Sequence, residues 1–176
     1  MEWLRAFAAR CRPGAVLDVG CGSAGHVGRF VADHGARVIG VDLSVRSVAL
    51  AQRLHPSLRF VAADMRALPF ATGACAGIVA FYSLIYTTDP YLVLVELRRA
   101  LGPGGALSIA VHAGEGAQRF DSYKGIPVDV ELQLRSPEVL AGQLGAAGFT
   151  VDRVDVRPPY PFEHATRRLY IGARVA

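Results

Sequence analysis

The sequence predicts an α/β fold: an open, doubly wound, mostly parallel sheet with helices on both faces and an antiparallel hairpin at its C-terminal end. Three observations predict it. Apolar runs of strand length alternate with amphipathic runs of helix length across the 176 residues, which is the order of elements that an open sheet covered on both faces requires. Gly20, Gly22 and Gly25 stand in G-x-G-x-x-G spacing between the first apolar run and the helix that follows it, where a tight turn free of Cβ atoms meets a helix N-terminus. The last two strand-like runs, 150–156 and 167–175, are joined by the Pro-rich stretch 157–166 with no helix between them, so they pair as an antiparallel hairpin.

Each element has a local justification. Trp3, Leu4, Phe7 and Ala8 fall at helical intervals, and "RPG" at 12–14 stops that short N-terminal helix, so 1–14 is a preamble to the first strand, Ala15 to Val19. After the glycine turn, Val27, Phe30 and Val31 mark the inner face of a helix that Gly35 ends with a left-handed residue. "RVIGVD", 37–42, is the second strand, and Ser44 caps a helix running through Leu54. "LRFVAAD" is a third apolar strand ending at Asp64, and "GIVAFY" is a fourth. The next helix starts with Asp89 as N-cap and Pro90 at its first position and stops at Gly102 and Pro103, ahead of strand "ALSIAVH". Residues 113–127 are Gly-rich, polar and aromatic without a clear period, and are expected to form a long active-site loop. "VDVELQLR" alternates as a half-exposed strand does, and Ser136 with Pro137 opens the last helix.

Composition limits the function. A chain of 176 residues that is 52% hydrophobic fills one core, and one domain over 1–176 is expected. The formal charge of +4 comes from arginines scattered along the chain, with Lys124 the single lysine, so no basic face for nucleic acid is expected. Cys11, Cys21 and Cys75 are widely spaced and odd in number, which indicates neither a disulfide framework nor a metal site. The chain opens on no leader pattern and holds no apolar run of spanning length, so a cytoplasmic protein without membrane attachment is expected.

The glycine turn alone does not choose between nucleotide ligands; the acidic residues do more. Asp18, two residues before Gly20, would be costly at a buried strand end unless a ligand's ammonium group, or a water held by one, satisfied it. Asp42 ends the second strand at the distance from the turn where a carboxylate accepts ribose hydroxyls, and Leu43 beside it offers an apolar face to adenine. Two readings stay open for Asp64: it accepts from the adenine amine while the Met65 backbone pairs with the ring, or it caps the following turn. Acidic residues ending three successive strands put three acceptors along one sheet edge, which is where α/β proteins bind ligands.

In "VLDVGCGSAG", "VIGVDLS", "AADMRALPF", "GIVAFYSLIY", "LRRALGPGGALSIAV" and "LGAAGFTV" the chain resembles the class I S-adenosylmethionine-dependent methyltransferases, over nearly its whole length. The resemblance implies a Rossmann-like, mostly parallel seven-stranded sheet and S-adenosylmethionine as cofactor, with S-adenosylhomocysteine as product. It implies that Gly20, Cys21 and Gly22 lie against the methionine part, Asp18 near its amino end, Asp42 and Leu43 on the nucleoside, Asp64 and Met65 on adenine, and the Phe81 backbone on the methionine amine. The family commonly places Gly at position 24, where this chain has Ala24, which alters that contact.

The implied reaction needs a nucleophile held in line and water kept out. The Asn/Asp-Pro-Pro-aromatic sequence of DNA-amine methylation is missing after the fourth strand, which reads "FYSL", and no cluster of metal ligands surrounds Asp89. A small-molecule acceptor is expected, taken by a monomer or homodimer. Tyr82 and His112 are the catalytic candidates, His112 as a base or as a hydrogen-bonded structural residue. Ser83, Tyr86 and Tyr123 are expected to line the acceptor pocket, while Glu163, His164, Arg167 and Arg168 either face that site or pair on the surface. A non-catalytic cofactor-binding protein and an NAD-dependent oxidoreductase are the alternatives.

Overall fold

The computed structural model describes residues 2–123 and 125–175, Tyr123 by its backbone alone. In chain order the elements are α1 (Glu2–Arg10), β1 (Ala15–Val19), α2 (His26–Asp33), β2 (Arg37–Asp42), α3 (Val45–Leu54), β3 (Arg59–Ala62), β4 (Cys75–Phe81), α4 (Tyr91–Ala100), β5 (Leu101–Ala113), β6 (Ala117–Tyr123), β7 (Ile126–Gln133), α5 (Pro137–Ala146), β8 (Phe149–Arg157) and β9 (Arg167–Val175). Seven strands form one sheet in the order β3-β2-β1-β4-β5-β9-β8. β1 to β5 run parallel, and β9 is inserted antiparallel between β5 and β8.

This order reverses between β1 and β4, so the chain leaving β1 and the chain leaving β4 turn to opposite faces and open a crevice between them. All five residues of β1 are buried, as a central parallel strand demands. On one face α4 and α5 bury Leu94, Leu97, Leu140 and Leu144 against Ile109, Leu169 and Ile171. On the other, Leu4 and Phe7 of α1 and Val31 of α2 cover Val16, Val38, Val79 and Ala106.

The caps follow the sequence. Ser44 Oγ accepts from the Ser47 amide and Ser136 Oγ from the Val139 amide, and Gly35 takes φ 92° after α2. Three expectations need correction. Residues 113–127 are not an irregular loop, because Ala117–Tyr123 is a strand that pairs antiparallel with β7 in a second, two-stranded sheet. Its alternation was hidden because the outer residues are charged, Arg119 pairing with Asp129, while the inner positions include the polar Gln118 beside Phe120. β3 ends at Ala62, short of Asp64, as an edge strand with no fully buried residue. Pro90, not Asp89, occupies the N-cap of α4, although the Asp89 carboxylate still accepts the Tyr91 amide at 2.9 Å. Among the described residues no helix is long and apolar enough to cross a membrane.

Candidate functional site

The crevice at the β1/β4 reversal is built from the glycine turn on one side and the end of β4 on the other. Gly20, Gly22 and Gly25 take φ of 76°, 62° and 55°, the left-handed region that favours glycine. Gly20 and Cys21 donate their amides to the Val41 carbonyl at 2.7 and 3.0 Å, tying the turn to β2. A Cβ on Gly20 would overlap the Cβ of Ser83, whereas a Cβ on Gly22 would meet open space. The turn is thus pressed against the end of β4 at Gly20 and exposes its backbone at Gly22.

Asp42 organises the middle of this edge. Its Oδ2 accepts the Gly22 amide at 2.8 Å and its Oδ1 the Ser44 amide at 2.9 Å, so one carboxylate joins the first turn to the start of α3. Leu43 beside it is 72% exposed, a large apolar side chain with nothing over it. Asp64 accepts from the Arg66 amide and, through both oxygens, from the Arg66 guanidinium, which holds its carboxyl below the ordinary range. Met65 packs on the core. Asp18 lies deeper than sequence implies: it is 2% exposed and its Oδ2 accepts the Gly28 amide at 2.7 Å. Burial pushes it up to about 7, against the pull of that amide.

At the end of β4, Phe81 is followed by Tyr82, the one positive-φ residue other than glycine among the described residues, at φ 56°. That backbone costs on the order of 1–3 kcal/mol and is held here by the Tyr82 amide donating to the Ala110 carbonyl at 2.7 Å. Ser83 is buried, and its Oγ has no hydrogen-bond partner among the described residues. Tyr86 is exposed, and the side chain of Tyr123 lies outside the described residues.

A polar cluster then continues along the same edge over β5 and β9. The His112 ring lies 5.3 Å from the Tyr82 ring, and His112 stands opposite Arg168 in the β5–β9 register. Its Nδ1 is 2.7 Å from Thr166 Oγ1. Arg168 is buried rather than on the surface; it donates to Thr166 Oγ1 at 2.6 Å, to the Thr166 carbonyl, and to the His164 carbonyl at 3.1 Å. Glu163 accepts from Arg157 through both oxygens at 2.7 and 2.8 Å, and lies 3.9 Å from Arg168. Arg157 holds the Glu163 carboxyl down at about 2. Burial and the Arg168 charge push His112 down to about 4, and burial together with Tyr170 pushes Tyr82 above its ordinary value.

Thr166, Arg157, Tyr170 and Arg135 carried no signal in the sequence. Arg135, just after β7, donates to the carbonyls of Leu84, Thr87 and Thr88 and so holds the segment after β4. The inner residues of the β6–β7 hairpin close on the cluster, Phe120 edge-on to His164 at 4.9 Å and Gln118 bonded to its Nε2.

Residues 16–105, which span the glycine turn, Asp42, Asp64 and the end of β4, match the family model described as a methyltransferase domain. The chain is 35% identical over 102 residues to a malonyl-[acyl-carrier protein] O-methyltransferase of Pseudescherichia vulneris, a match covering 58% of this chain and 40% of that protein. It is 37% identical over 111 residues to a demethylmenaquinone methyltransferase of Beutenbergia cavernae, covering 61% of this chain and 46% of that one. The chain thus spans less than half the length of these two relatives. Its fold matches that of a SAM-dependent methyltransferase of Methanosarcina mazei at TM-score 0.85 and 18% identity, over 95% of each chain.

Proposed function

The chain belongs to the methyltransferase-domain family, and on that premise we propose that it is an enzyme that moves a methyl group from S-adenosylmethionine to an oxygen, nitrogen or carbon nucleophile of a small-molecule acceptor. The observation that carries the reading is Asp42, whose two oxygens are oriented by the Gly22 and Ser44 amides between an open glycine turn and the bare face of Leu43. The lone pairs left on that carboxylate suit paired ribose hydroxyls, and Leu43 suits an adenine face.

The residues present fit the cofactor elsewhere too. Space beside Gly22 lets a ligand approach the backbone, and the orphaned Ser83 hydroxyl stands at the end that would hold the methionine part with Gly20, Cys21 and the Phe81 backbone. Asp18 supports the turn from beneath through Gly28. Asp64 and Met65 remain the adenine side, Asp64 sharing its carboxylate with the exposed Arg66. When bound, the cofactor supplies an electrophilic methyl on a sulfonium. The chain's own work is to hold the acceptor in line and exclude water, for which Tyr82, His112 and the β6–β7 hairpin stand over the ends of β4 and β5. The likeness to a demethylmenaquinone methyltransferase supports a small-molecule acceptor.

Calorimetric titration with S-adenosylmethionine, S-adenosylhomocysteine and NAD, beside an Asp42→Ala variant, tests the reading. Saturable binding of the first two, lost in the variant, is expected. Binding of NAD alone would overturn it.

A further inference from the structure

Only one direction of the hydrogen bonds around Thr166 gives its hydroxyl proton a partner among the described residues. A guanidinium only donates, so Arg168 Nη1 occupies a lone pair of Thr166 Oγ1 at 2.6 Å. The Thr166 hydroxyl proton then has one acceptor in reach among the described residues, His112 Nδ1 at 2.7 Å. An Nδ1 that accepts leaves the ring proton on Nε2, the tautomer being set by the partner of the other nitrogen. His112 Nε2 has no protein partner among the described residues and is not sealed from solvent, so its N–H stands free at the carboxyl edge of β5, beside the Tyr82 ring.

Glu163 spends both oxygens on Arg157, and Arg168, 4% exposed, has only neutral oxygens as hydrogen-bond partners. Two guanidiniums therefore share one carboxylate beneath Tyr82 and His112, and this cluster of three carries a net positive charge. Buried charge of one sign without its complement favours a ligand of the other sign.

Resting on the methyl-transfer reading, we propose that the acceptor is a carboxylic acid bound as its carboxylate, one oxygen of which takes the hydrogen bond from His112 Nε2–H, with Thr166 and Arg168 as positioning residues that fix this donor. A phenol, an amine or a carbon acid must lose a proton, and a ring nitrogen already carrying one cannot take it. A carboxylate arrives ionised at neutral pH. Its free oxygen attacks the sulfonium methyl carbon, the new O–C bond forms as the C–S bond breaks, and the electron pair returns to sulfur. A carboxylate and a sulfonium become a neutral ester and a neutral thioether, and no proton moves. The groups facing His112 agree with this assignment: burial, then Arg168 and His164, favour its neutral ring over the opposing Glu163, and Tyr82 is held protonated at neutral pH.

The test reads the tautomer directly, by nuclear magnetic resonance of the whole chain isotope-labelled at the histidine nitrogens, with acetate, phenylacetate or p-cresol as probe, in the presence and absence of S-adenosylhomocysteine. The expected result is an Nε2–H ring for His112 at neutral pH, a shift of that nitrogen with both acids, and none with p-cresol. Thr166→Val, which deletes the hydroxyl and keeps the shape, should release the tautomer preference. His112→Gln offers an amide N–H near the place of Nε2 and should keep acid binding within roughly threefold, while His112→Leu should weaken it roughly tenfold or more. An Nδ1–H ring in the native chain, a tautomer indifferent to Thr166→Val, equal responses to p-cresol and the acids, or equal losses in Gln and Leu would each overturn the proposal. Because the acid titration also runs without cofactor, failure of S-adenosylhomocysteine to bind would sink the methyl-transfer reading and leave the His112 result legible on its own.

Discussion

The Gly28 amide donates to Asp18 Oδ2 across 2.7 Å, at a carboxylate that the sheet and α2 leave 2% exposed. A Cβ on residue 28 would come within 2.9 Å of that same oxygen, so the glycine and the acid require each other. Burial lifts Asp18 from 3.8 to about 7, and the folded chain keeps a proton there that the unfolded chain releases. The group's contribution to stability is full below the unfolded value and is lost as pH rises through the folded one. Asp18→Asn retains an oxygen for Gly28 and does not ionise. Urea unfolding should show the variant gaining on the native chain between about pH 4 and about pH 7; a constant difference would refute the assignment.

His112 works in the opposite sense. Its folded value falls to about 4 from 6.5, chiefly by burial, so its contribution is present above 6.5 and is lost as pH falls through about 4. Over that window the Asp18 and His112 slopes oppose each other. The native chain should show a flatter stability profile than either Asp18→Asn, whose stability climbs with pH, or His112→Gln, whose stability declines. Parallel profiles for the two variants would show that neither group carries the linkage.

Gly20 and Gly22 separate packing from conformation. Both hold positive φ, but only Gly20 meets a neighbour, the Ser83 Cβ. Gly22→Ala should cost about 1–2 kcal/mol from the left-handed backbone alone, and Gly20→Ala a further 1–3 kcal/mol or so from the overlap. Adding Ser83→Gly should recover the second part and leave the first, as read by denaturant midpoints of the three variants.

Glu163→Gln removes the one carboxylate between Arg157 and Arg168. A loss of roughly 1–3 kcal/mol is expected, since one partly buried and one buried guanidinium are left facing each other. Thermal unfolding should show the deficit shrinking as salt is added, and a deficit that salt leaves unchanged would argue that packing, not charge, was lost.

What could be read from sequence was what neighbours in the chain decide. Ser44, Ser136 and Gly35 act within a turn of themselves, and Gly20, Gly22 and Gly25 announce a turn whatever lies opposite. The inner strands β1, β4 and β5 were legible because burial on both faces leaves unbroken apolar runs. β6 was not, because its inner face carries Gln118 and its outer face Arg119, so polarity does not alternate. Thr166 was illegible, and Arg168 open between the site and the surface, for a different reason. An arginine near a chain end reads as solvated until β9 is known to lie between β5 and β8, which brings residue 168 opposite residue 112. Arg135 likewise reaches back to Leu84 and Thr87 through a path that only the assembled fold supplies.

Arg135 also marks where the chain rejoins the central sheet. The chain leaves the central sheet at Ala113, makes the β6–β7 excursion, and returns at Arg135, whose amide donates to the His112 carbonyl and whose own carbonyl accepts from Gly114. Departure and return thus meet at one knot of hydrogen bonds, and everything between them is a closed detour. The hydrogen bonds that close it belong to Gly114, Arg135 and the His112 carbonyl, so the length of the hairpin between them does not enter the register of β5 with β4 or β9. The main sheet and the excursion are thus joined at a single place in the chain.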